Sequence, residues 1–458
     1  MKNPNDHILF VSANTLTIPY PVYPIGISYL STFLSENLPH YTIKLFDFNL
    51  SNPEELISLM ESFKPKYIAV SIRNIDGVNS YDPINFISGY KKIIELIRNN
   101  YHADYKLLMG GAGFSIFPET LYKELQPDYA IVGEGEKSLY DLITKLDADL
   151  PLTDVEGLVY KNELNTVQIN GRKLNTTDLS LCFDDSLLDF YWLNSGMLNI
   201  QTKRGCPFRC VYCTYPVIEG KNVRTLSTDK IVETISRLKR DKGIDYIFFT
   251  DSVFNMKNDY NIELAEKLIQ SKANIRWGAY FFPKGLTEDM LRLFKASGLT
   301  HIEFGTESIC DETLQNYGKH FTVADIVQQS ALSYKIGIDY AHFLILAGYG
   351  ETDETINETY ENSKQIKGTV FFPFVGMRIY PGTRLYNIAL AEGLIDTNDL
   401  LLEPKYYISK HVNLDTLKER AYATGKRWVF PDEDTSTIST KMRLMRNKKG
   451  PLWEYLTK

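Results

Sequence analysis

The stretch TKRGCPFRCVYCTYP (202–216) places three of the chain's five cysteines, Cys206, Cys210 and Cys213, in one short loop. The loop follows a run of strand-forming residues, LNIQTK (198–203), so it should begin where a strand ends. Three thiolates spaced C-x-x-x-C-x-x-C can wrap one face of a soft metal centre, because so short a loop keeps them together. The sequence therefore predicts a metal site with three cysteine ligands.

The rest of the sequence narrows the kind of metal site. A structural zinc site needs four ligands, whereas Cys182 and Cys310 are remote and no histidine lies near the loop. Ferredoxin-type clusters use two-residue gaps and a fourth cysteine. The spacing favours a four-iron, four-sulfur cluster with one iron left open for a substrate or cofactor. A zinc site and chance spacing are the alternatives.

Composition limits the classes of protein to consider. A chain of 458 residues suggests two to three domains, because hydrophobic cores stop growing beyond about 250–300 residues. A net charge of -7 gives no reason to expect binding to nucleic acid or to an anionic membrane. We find no signal peptide and no long uncharged apolar run, so no membrane span is expected. We expect a cytoplasmic protein whose clustered cysteines bind metal and form no disulfides.

The first 145 residues alternate short apolar runs with helical patterns such as NFISGYKKIIELIRNN (85–100). This alternation predicts an α/β fold with a doubly wound, Rossmann-like parallel sheet over residues 1–145. GGAG (110–113) and GEGE (133–136) each follow a strand, where glycine lets the backbone approach a ligand; a plain turn explains them equally well. The predicted strands are HILFVS (7–12), YTIKLFDF (41–48), YIAVSI (67–72), YKLLMG (105–110) and DYAIVG (128–133).

A second alternating series follows an interruption. Proline, glycine and asparagine punctuate residues 146–195, which we interpret as a linker or small hairpin. Six strand–helix units over residues 196–395 predict a partial (β/α)6 TIM-like barrel with its active site at the carboxyl ends of the strands. Residues 396–458 are predicted to form a helical cap that includes KMRLMRNKKGPLWEYL (441–456). The predicted strands are LNIQTK (198–203), YIFFTD (246–251), WGAYFF (277–282), HIEFGT (301–306), YAHFLILA (340–347) and FFPFVGM (371–377).

With these features, GCPFRCVYC (205–213) resembles the signature of the radical S-adenosylmethionine (radical SAM) superfamily. In that family the open iron is chelated by the amino and carboxylate groups of S-adenosylmethionine. The doubly wound domain upstream makes the chain similar to the cobalamin-dependent branch of the superfamily. The similarity covers nearly the whole chain, and its further motifs are YPVYPIGISYLSTFL (20–34), FGTES (304–308), GYGET (348–352) and YPGTRLY (380–386).

The resemblance implies a cobalamin-dependent radical SAM enzyme, most commonly a methyltransferase. One S-adenosylmethionine would form methylcobalamin, and a second would give a 5′-deoxyadenosyl radical that opens an unactivated centre of a small molecule. An external electron donor of the flavodoxin or ferredoxin type would reduce the cluster. A non-methylating oxidation, cyclisation or ring rearrangement is the alternative activity. A non-catalytic iron–sulfur redox sensor is the alternative outside catalysis.

The resemblance also assigns roles to single residues. Cys206, Cys210 and Cys213 would bind the cluster and take part in catalysis. Tyr212 would pack at the adenine and contribute mainly its backbone. Glu307 would accept hydrogen bonds from the ribose hydroxyls, with a salt bridge at the barrel rim as the structural alternative.

Three further assignments each have a structural alternative. Asp251 would accept a hydrogen bond from the ammonium of S-adenosylmethionine, or it would cap a helix. Gly348, in LILAGYGET (344–352), would allow close approach to the adenine, or it would serve a plain turn. Arg378, together with Tyr380 and Arg384, would bind an anionic group, or it would only cap the last strand.

The predicted cobalamin domain departs from one common pattern. Many such domains carry an Asp-x-His-x-x-Gly loop whose histidine binds cobalt from below, but the corresponding loop here, SANTLTIPYPVYPIG (12–26), contains no histidine. Ser71, Gly110 and Gly111 match positions that flank the nucleotide tail of cobalamin in such domains. We therefore expect bound cobalamin without a histidine from the protein. A domain that has kept the fold and lost cobalamin is the alternative.

Overall fold

The computed structural model describes residues 6–174, 178–433, 435, 441–443, 445 and 447–457. The chain divides into two compact units. The N-terminal unit comprises Met1–Gly77, Asn85–Phe190 and Val217–Glu219, and the barrel unit comprises Val78–Ile84, Tyr191–Pro216 and Gly220–Lys458.

A seven-stranded sheet in the order β2-β1-β3-β4-β5-β6-β7 forms the centre of the N-terminal unit. The first five strands are parallel, and β6 and β7 are antiparallel. The strands are β1 (His7–Ser12), β2 (Thr42–Asp47), β3 (Tyr67–Ser71), β4 (Lys106–Gly110), β5 (Tyr129–Ile131), β6 (Leu158–Lys161) and β7 (Val167–Ile169). The helices are α1 (Ile25–Asn37), α2 (Pro53–Phe63), α3 (Ile87–Asn100), α4 (Ala112–Ile116), α5 (Pro118–Leu125) and α6 (Glu136–Asp147), and the boundary between the units falls within α7 (Asp185–Ser195).

Local sequence explains why these elements form where they do. Asn52 caps the start of helix α2, because its side chain accepts a hydrogen bond from the N–H of Glu55. The side chain of Glu55 in turn accepts from the N–H of Asn52. Pro53 suits the first helical position. Strand β1 is apolar at consecutive positions and buried, as expected for a parallel strand covered on both faces. The parallel strand order β2-β1-β3-β4-β5, with helices between the strands, confirms the predicted doubly wound sheet.

Residues 146–195 are more structured than a linker. Strands β6 and β7 pair as a hairpin that extends the sheet beyond β5, so the edge of β5 is covered. Asn162 makes the turn, because its side chain accepts from the N–H groups of Leu164 and Thr166. The interpretation as a hairpin is correct, but its addition to the N-terminal sheet was not predicted.

The barrel unit contains seven parallel strands in the order β18-β15-β14-β13-β12-β11-β8. Short antiparallel pairs are formed by β9 with β10 and by β16 with β17. The strands are β8 (Leu198–Ile200), β9 (Lys203–Arg204), β10 (Arg224–Thr225), β11 (Tyr246–Phe249), β12 (Arg276–Phe281), β13 (Leu299–Glu307), β14 (Asp339–Leu346), β15 (Thr369–Val375), β16 (Met377–Arg378), β17 (Tyr406–Tyr407) and β18 (Arg427–Trp428).

Helices lie between consecutive strands of this series, which confirms the predicted strand–helix units. No helix in the described ranges is long and apolar enough to cross a membrane. The helices are α8 (Tyr215–Ile218), α9 (Thr228–Lys242), α10 (Asn258–Ser271), α11 (Glu288–Ala296), α12 (Asp311–Asn316), α13 (Val323–Ile336), α14 (Asp353–Ser363), α15 (Arg384–Ala391) and α16 (Leu417–Ala423), with 3-10 turns at Leu414–Thr416 and Trp453–Leu456.

The end of the chain differs from the predicted helical cap. Strand β18 joins the barrel sheet beside β15, and its two residues are too few to give a periodic pattern in the sequence. Trp453 packs with Ala341, Val370 and Val429 in a buried apolar cluster. The predicted helix over KMRLMRNKKGPLWEYL (441–456) includes residues 444 and 446, which lie outside the described residues.

Candidate active site

The cysteine loop runs from β9 to α8 and is fixed by backbone hydrogen bonds. The N–H of Cys206 donates to the carbonyl of Gly220 at 3.0 Å, and the N–H of Val211 donates to the carbonyl of Tyr317 at 3.0 Å. The first bond closes the loop on itself, and the second attaches it to the turn that follows α12. Backbone hydrogen bonds therefore anchor the loop at Cys206 and Val211.

Two glycines permit this close packing. Gly205 has φ +94°, and a Cβ there would lie 2.2 Å from the carbonyl oxygen of Asn222. Gly318 has φ +74°, and a Cβ there would lie 2.9 Å from the carbonyl oxygen of Arg209. Any other residue at either position would combine a strained backbone with a steric clash. Glycine at both positions thus lets the loop and its neighbouring turn approach each other.

The loop forms one wall of a cavity of about 340 Å³. Cys206, Cys210 and Cys213 all line this cavity, together with Tyr212 and Glu307. Five residues singled out from the sequence are therefore brought together by the fold. They lie where strands β12 and β13 end, which agrees with the position predicted for an active site in this architecture.

The donor set fits an iron–sulfur cluster. All three sulfurs are free thiols on the same cavity. In the described part of the chain, no three His, Cys, Asp or Glu side chains converge as ligands of a single ion. A cluster does not require such convergence, because each thiolate binds a different iron. The three thiols fit a cluster because they line one wall of the same cavity and are closely spaced in the sequence.

Burial makes two of these thiols, Cys206 and Cys213, weaker acids than an ordinary cysteine, with raised pKa values. Burial, followed by the charge of Cys210, raises the pKa of Cys213 to about 12. Burial also raises the pKa of Cys206. A bound metal centre reverses this situation, because its positive charge stabilises the thiolate forms. Cys206 and Cys213 therefore suit thiolate ligands whose charge a metal centre stabilises.

Tyr212, Glu307 and Lys319 form a hydrogen-bonded triad at the cavity. The hydroxyl of Tyr212 donates to Glu307 Oε1 at 2.6 Å, and Lys319 Nζ donates to the same oxygen at 2.6 Å. Lys319 Nζ also lies 3.1 Å from the Tyr212 hydroxyl oxygen. Oε1 of Glu307 therefore receives two hydrogen bonds, and the carboxylate is held in one orientation.

Within the triad, the pKa values of Tyr212 and Lys319 are both raised. Burial, followed by the charge of Glu307, raises the pKa of Tyr212 well above its ordinary value. Burial acts to lower the pKa of Lys319, but Glu307 and Cys210 more than offset this effect, so the pKa of Lys319 is raised. Lys319 is accordingly cationic at neutral pH, and Tyr212 is a neutral hydrogen-bond donor.

Glu307 reaches this position through an irregular strand end. Its φ is +59°, and the pairing of β13 with β14 shifts register between Gly305 and Glu307. Such an irregularity bends a strand and re-aims its side chains. The backbone strain of a non-glycine residue in this region is commonly found at functional sites.

Sequence reasoning missed Lys319. It lies twelve positions after Glu307, beyond α12, and reaches the cavity because the chain turns back at Gly318. No motif or periodicity links a lysine after a helix to a carboxylate before that helix. The glycine at position 318 is the one local signal in the sequence, and glycine in a turn is too common to be diagnostic.

Asp251 does not lie at the cavity. Its Oδ1 accepts from the N–H groups of Thr202 and Lys203 at 2.6 and 2.9 Å, and its Oδ2 pairs with Lys203 Nζ at 2.9 Å. Asp251 is 1% exposed. The structure therefore corrects the predicted contact with the cofactor ammonium, because the carboxylate is occupied. It does not cap a helix either, since α10 begins at Asn258; it fixes the start of the cysteine loop.

Gly348 and Arg378 also serve the packing of the barrel unit. A Cβ at Gly348 would lie 2.2 Å from the hydroxyl oxygen of Tyr317, so glycine makes room for that ring. Arg378 is buried and donates to the carbonyls of Ile379 and Leu401, both at 2.6 Å. Neither residue is among those lining the cavity. The structure therefore does not support the predicted cofactor contacts of Gly348 and Arg378.

In the N-terminal unit, the predicted cofactor residues meet at one edge of the sheet. Ser71 ends β3 and pairs in register with Gly110, which ends β4. Gly111 has φ +105°, and a Cβ there would lie 2.4 Å from the carbonyl oxygen of Ile72. The strand order changes direction between β1 and β3, and ligands of doubly wound sheets bind at that point, outside the carboxyl ends of the strands.

Comparisons with known proteins agree with both halves of this description. The model of the radical SAM superfamily matches residues 200–362, and the model of the B12 binding domain matches residues 11–143. The chain combines a B12 binding domain with a radical SAM domain. This radical SAM protein carries its three cysteines inside the matched superfamily region, and Ser71, Gly110 and Gly111 lie inside the matched B12 binding domain.

Among its relatives is an uncharacterized methyltransferase of Pyrococcus horikoshii, 25% identical over 415 residues that cover 87% of this chain and 86% of the relative. The anaerobic magnesium-protoporphyrin IX monomethyl ester cyclase of Rubrivivax gelatinosus is 25% identical over 280 residues, 58% of this chain and 50% of the cyclase. The radical SAM methyltransferase TsrM of Kitasatospora setae, solved with cobalamin and an iron–sulfur cluster, has a TM-score of 0.86 at 20% identity, covering 99% and 97% of the two chains. At that identity the likeness confirms the fold.

Proposed function

We propose that this radical SAM protein is a cobalamin-dependent methyltransferase that methylates an unactivated centre of a small molecule. The observation that carries the proposal is the cavity at the carboxyl ends of the barrel strands, where three cysteines share one wall with the triad Tyr212, Glu307 and Lys319. The methyltransferase relative that matches most of the chain supports methylation over other radical reactions.

The cysteine wall would hold a four-iron, four-sulfur cluster through Cys206, Cys210 and Cys213. When bound, the cluster supplies a low-potential electron to S-adenosylmethionine, and cobalamin supplies the methyl group for transfer. The loop contributes rigidity, since its backbone bonds to Gly220 and Tyr317 keep the three sulfurs in place. Rigid placement matters because a cleaved cofactor must be held against its electron source in one geometry.

Glu307 would orient S-adenosylmethionine through its ribose. Among the described residues, Oε1 takes the hydrogen bonds of both Tyr212 and Lys319, which leaves Oε2 to accept from a ribose hydroxyl. A hydrogen bond to a charged acceptor contributes about 1.5–3 kcal/mol when the site is closed to water. Lys319 and Tyr212 act as positioning residues in this account, because they hold the carboxylate that makes the contact.

The N-terminal unit would hold cobalamin at the edge formed by Ser71, Gly110 and Gly111. His7 and His40 lie at the amino ends of β1 and β2, and His102 precedes β4, so all three lie opposite the edge where ligands of this fold bind. We therefore expect no histidine from this unit on cobalt. The electron paramagnetic resonance spectrum of the cobalt(II) form checks this point: its nitrogen couplings should not change when the histidines of the protein carry nitrogen-15.

Product analysis separates a methyltransferase from the two alternatives, a non-methylating radical enzyme and a redox sensor. The match to the cyclase of Rubrivivax gelatinosus keeps non-methylating radical chemistry as the second candidate. Cleavage toward the radical releases 5′-deoxyadenosine, whereas donation of the methyl group releases S-adenosylhomocysteine. A methyltransferase of this type yields both products, a non-methylating radical enzyme yields only the first, and a sensor yields neither.

The experiment uses the anaerobically reconstituted protein with cobalamin, S-adenosylmethionine and a low-potential reductant. Chromatography with mass spectrometry should detect both products, and a Cys210→Ala variant should form neither. Release of 5′-deoxyadenosine alone would contradict methyl transfer and favour the second candidate. We further expect an external flavodoxin- or ferredoxin-type donor, a cytoplasmic location and no nucleic-acid partner.

A further inference from the structure

The segment Val217–Glu219 follows the cysteine loop in the sequence but belongs to the N-terminal unit. It spans the end of α8 and leads to Gly220, whose carbonyl accepts from the N–H of Cys206 at 3.0 Å. The last carbonyls of a helix have no partner within the helix and need one from elsewhere. A group that holds these carbonyls therefore also restrains the segment that closes the cysteine loop.

Arg172 of the N-terminal unit binds this segment. Its Nη1 donates to the carbonyl oxygen of Ile218 at 2.8 Å, and its Nη2 donates to the carbonyl oxygen of Val217. One planar guanidinium thus caps the carbonyl end of α8 with two donors, which a single ammonium group does not reproduce. Because the donor is charged, these hydrogen bonds are stronger than those between neutral groups.

Gly133 makes room for this guanidinium. It is the first glycine of GEGE (133–136), a motif that the sequence alone explains equally well by a ligand contact or by a plain turn. Gly133 has φ +84°, and a Cβ there would overlap Nη1 of Arg172. Its N–H donates to Ser115 Oγ at 2.8 Å, which fixes the turn after β5. Glycine at this position therefore serves the path of Arg172.

The hairpin of β6 and β7 delivers Arg172 to this place. The N–H of Gly157 donates to the carbonyl of Gly171 at 3.2 Å, and the N–H of Val132 donates to the carbonyl of Gly157 at 2.9 Å. These bonds continue the pairing of β5, β6 and β7 beyond the ends of the strands. Arg172 consequently leaves the sheet beside Gly133.

We infer that Arg172 is a positioning residue for the iron–sulfur cluster, because it holds the segment that closes the cysteine loop. Gly133 makes the contact possible. The inference rests on the proposed function in that the three cysteines of the loop are taken to bind the cluster. Arg172 lies between the regions that the two family models match, residues 11–143 and 200–362.

The rate at which the protein loses iron measures how firmly the loop is held. The reconstituted full-length protein is mixed anaerobically with dithionite and an excess of a ferrous chelator, and the coloured complex is followed with time. Arg172→Ala should release iron about tenfold faster than wild type, the factor that corresponds to about 1.4 kcal/mol, because hydrogen bonds from a charged donor are lost. Arg172→Lys should release iron at an intermediate rate, since an ammonium keeps the charge without the fork.

Arg98→Ala is the matched control. The guanidinium of Arg98 also donates to a carbonyl just after a helix, that of Gln126 after α5, within the same unit but away from the cysteine loop. This variant should release iron at the wild-type rate. Iron release from Arg172→Ala that is no faster than from Arg98→Ala would overturn the inference.

Gly133→Ala tests the same contact from the other side. The added Cβ displaces the guanidinium, so this variant should lose iron about as fast as Arg172→Ala, and the double variant should lose it no faster than either one. Gly171→Ala is the control, because a Cβ there meets nothing within 4 Å. Additive effects would show that Gly133 acts independently of Arg172. If Arg172→Ala does not fold, wild-type rates in both Arg172→Lys and Gly133→Ala would overturn the inference.

The same preparations separate this inference from the proposed function. If the wild-type protein takes up no cluster, both fail. If it holds the cluster but Arg172→Ala loses iron at the wild-type rate, only the inference fails. If Arg172→Ala loses iron faster but the wild-type protein forms neither 5′-deoxyadenosine nor S-adenosylhomocysteine from S-adenosylmethionine, the inference stands and the proposed function fails.

Discussion

Lys319 Nζ lies 2.6 Å from Glu307 Oε1, and their side chains are only 9% and 12% exposed. A buried ion pair differs from an exposed one in what its formation and its disruption do to stability. Its formation contributes little net stability, because both charges lose hydration, but removal of one partner leaves the other buried and unpaired. The pair is therefore informative about function, since a purely stabilising design could have used apolar residues.

Replacing Lys319 with methionine should lower the free energy of unfolding by about 3–5 kcal/mol and weaken S-adenosylmethionine binding, because Glu307 loses its fixed orientation. Lys319→Arg should keep most of the stability but misplace the carboxylate, since a guanidinium is a different donor. Lys284→Met is the control: Lys284 pairs with Asp325 at 3.1 Å but is 45% exposed, so its loss should cost about 1 kcal/mol or less. Equal loss of stability in both methionine variants, measured by denaturant unfolding, would contradict the account.

Removal of any one of the three clustered cysteines should leave too few ligands to hold the cluster. Cys210→Ala is expected to lower iron and sulfide content to near the background of an unreconstituted sample. Cys182→Ala, at the exposed cysteine of the other unit, should keep full iron and sulfide content. Iron and acid-labile sulfide analysis after anaerobic reconstitution decides the matter, and full content in Cys210→Ala would rule out the assigned ligands.

Gly111→Ala should abolish cobalamin binding or reduce it severely. Gly111 has φ +105°, and the added Cβ would lie 2.4 Å from a backbone oxygen of Ile72, so the turn after β4 must move. Gly89→Ala is the control, because a Cβ at that helical position meets nothing within 4 Å and alanine favours helix. Cobalamin retained on gel filtration measures the outcome. Wild-type retention by Gly111→Ala would place the cofactor elsewhere.

Glu303 should make the stability of the barrel unit depend on pH. Burial raises its pKa to about 7, and Trp453 Nε1 donates to its Oε1 at 3.0 Å. Because the folded pKa lies above the ordinary value of 4.5, this contribution is fully present below pH 4.5 and is lost as pH rises toward 7. The loss amounts to about 3 kcal/mol.

Glu303→Gln cannot ionise and still offers an oxygen to Trp453, so it should gain about 3 kcal/mol relative to wild type between pH 4.5 and 7. Other titrating groups are common to both proteins and cancel in the difference. Glu288→Gln, at a half-exposed residue whose partners Lys335 and Arg292 lower its pKa, should show no such gain. A flat difference for Glu303→Gln in unfolding experiments across this range would show that Glu303 ionises freely.

The sequence was most informative where a pattern repeats or a motif is local. Parallel strands such as β3 and β11 are short apolar runs, and the cysteine loop is a single short segment, so both could be identified without the fold. The hairpin of β6 and β7 was visible as turn chemistry around Asn162. The place of this hairpin in the sheet could not be predicted, because its pairing with β5 depends on contacts between distant parts of the chain.

The site itself was only partly predictable. Glu307 was assigned through the motif FGTES (304–308) at a strand end, but Asp251, assigned in the same way after another strand, proved to be buried against Lys203. A polar residue at a strand end therefore indicates a position, and the direction of its side chain depends on tertiary partners. Lys319 shows the reverse case, since it reaches the cavity through a turn at Gly318 that carries no motif.

The fate of the methyl group of S-adenosylmethionine tests the central claim most directly. The reconstituted protein with bound cobalamin is incubated anaerobically with S-adenosylmethionine that carries a trideuterated methyl group and with a low-potential reductant. Cobalamin is then extracted, and its mass is measured by mass spectrometry. The account predicts cobalamin that carries the trideuterated methyl group, formed together with S-adenosylhomocysteine. Cobalamin that stays bound but unlabelled, in protein with full iron and sulfide content, would contradict a cobalamin-dependent methyltransferase.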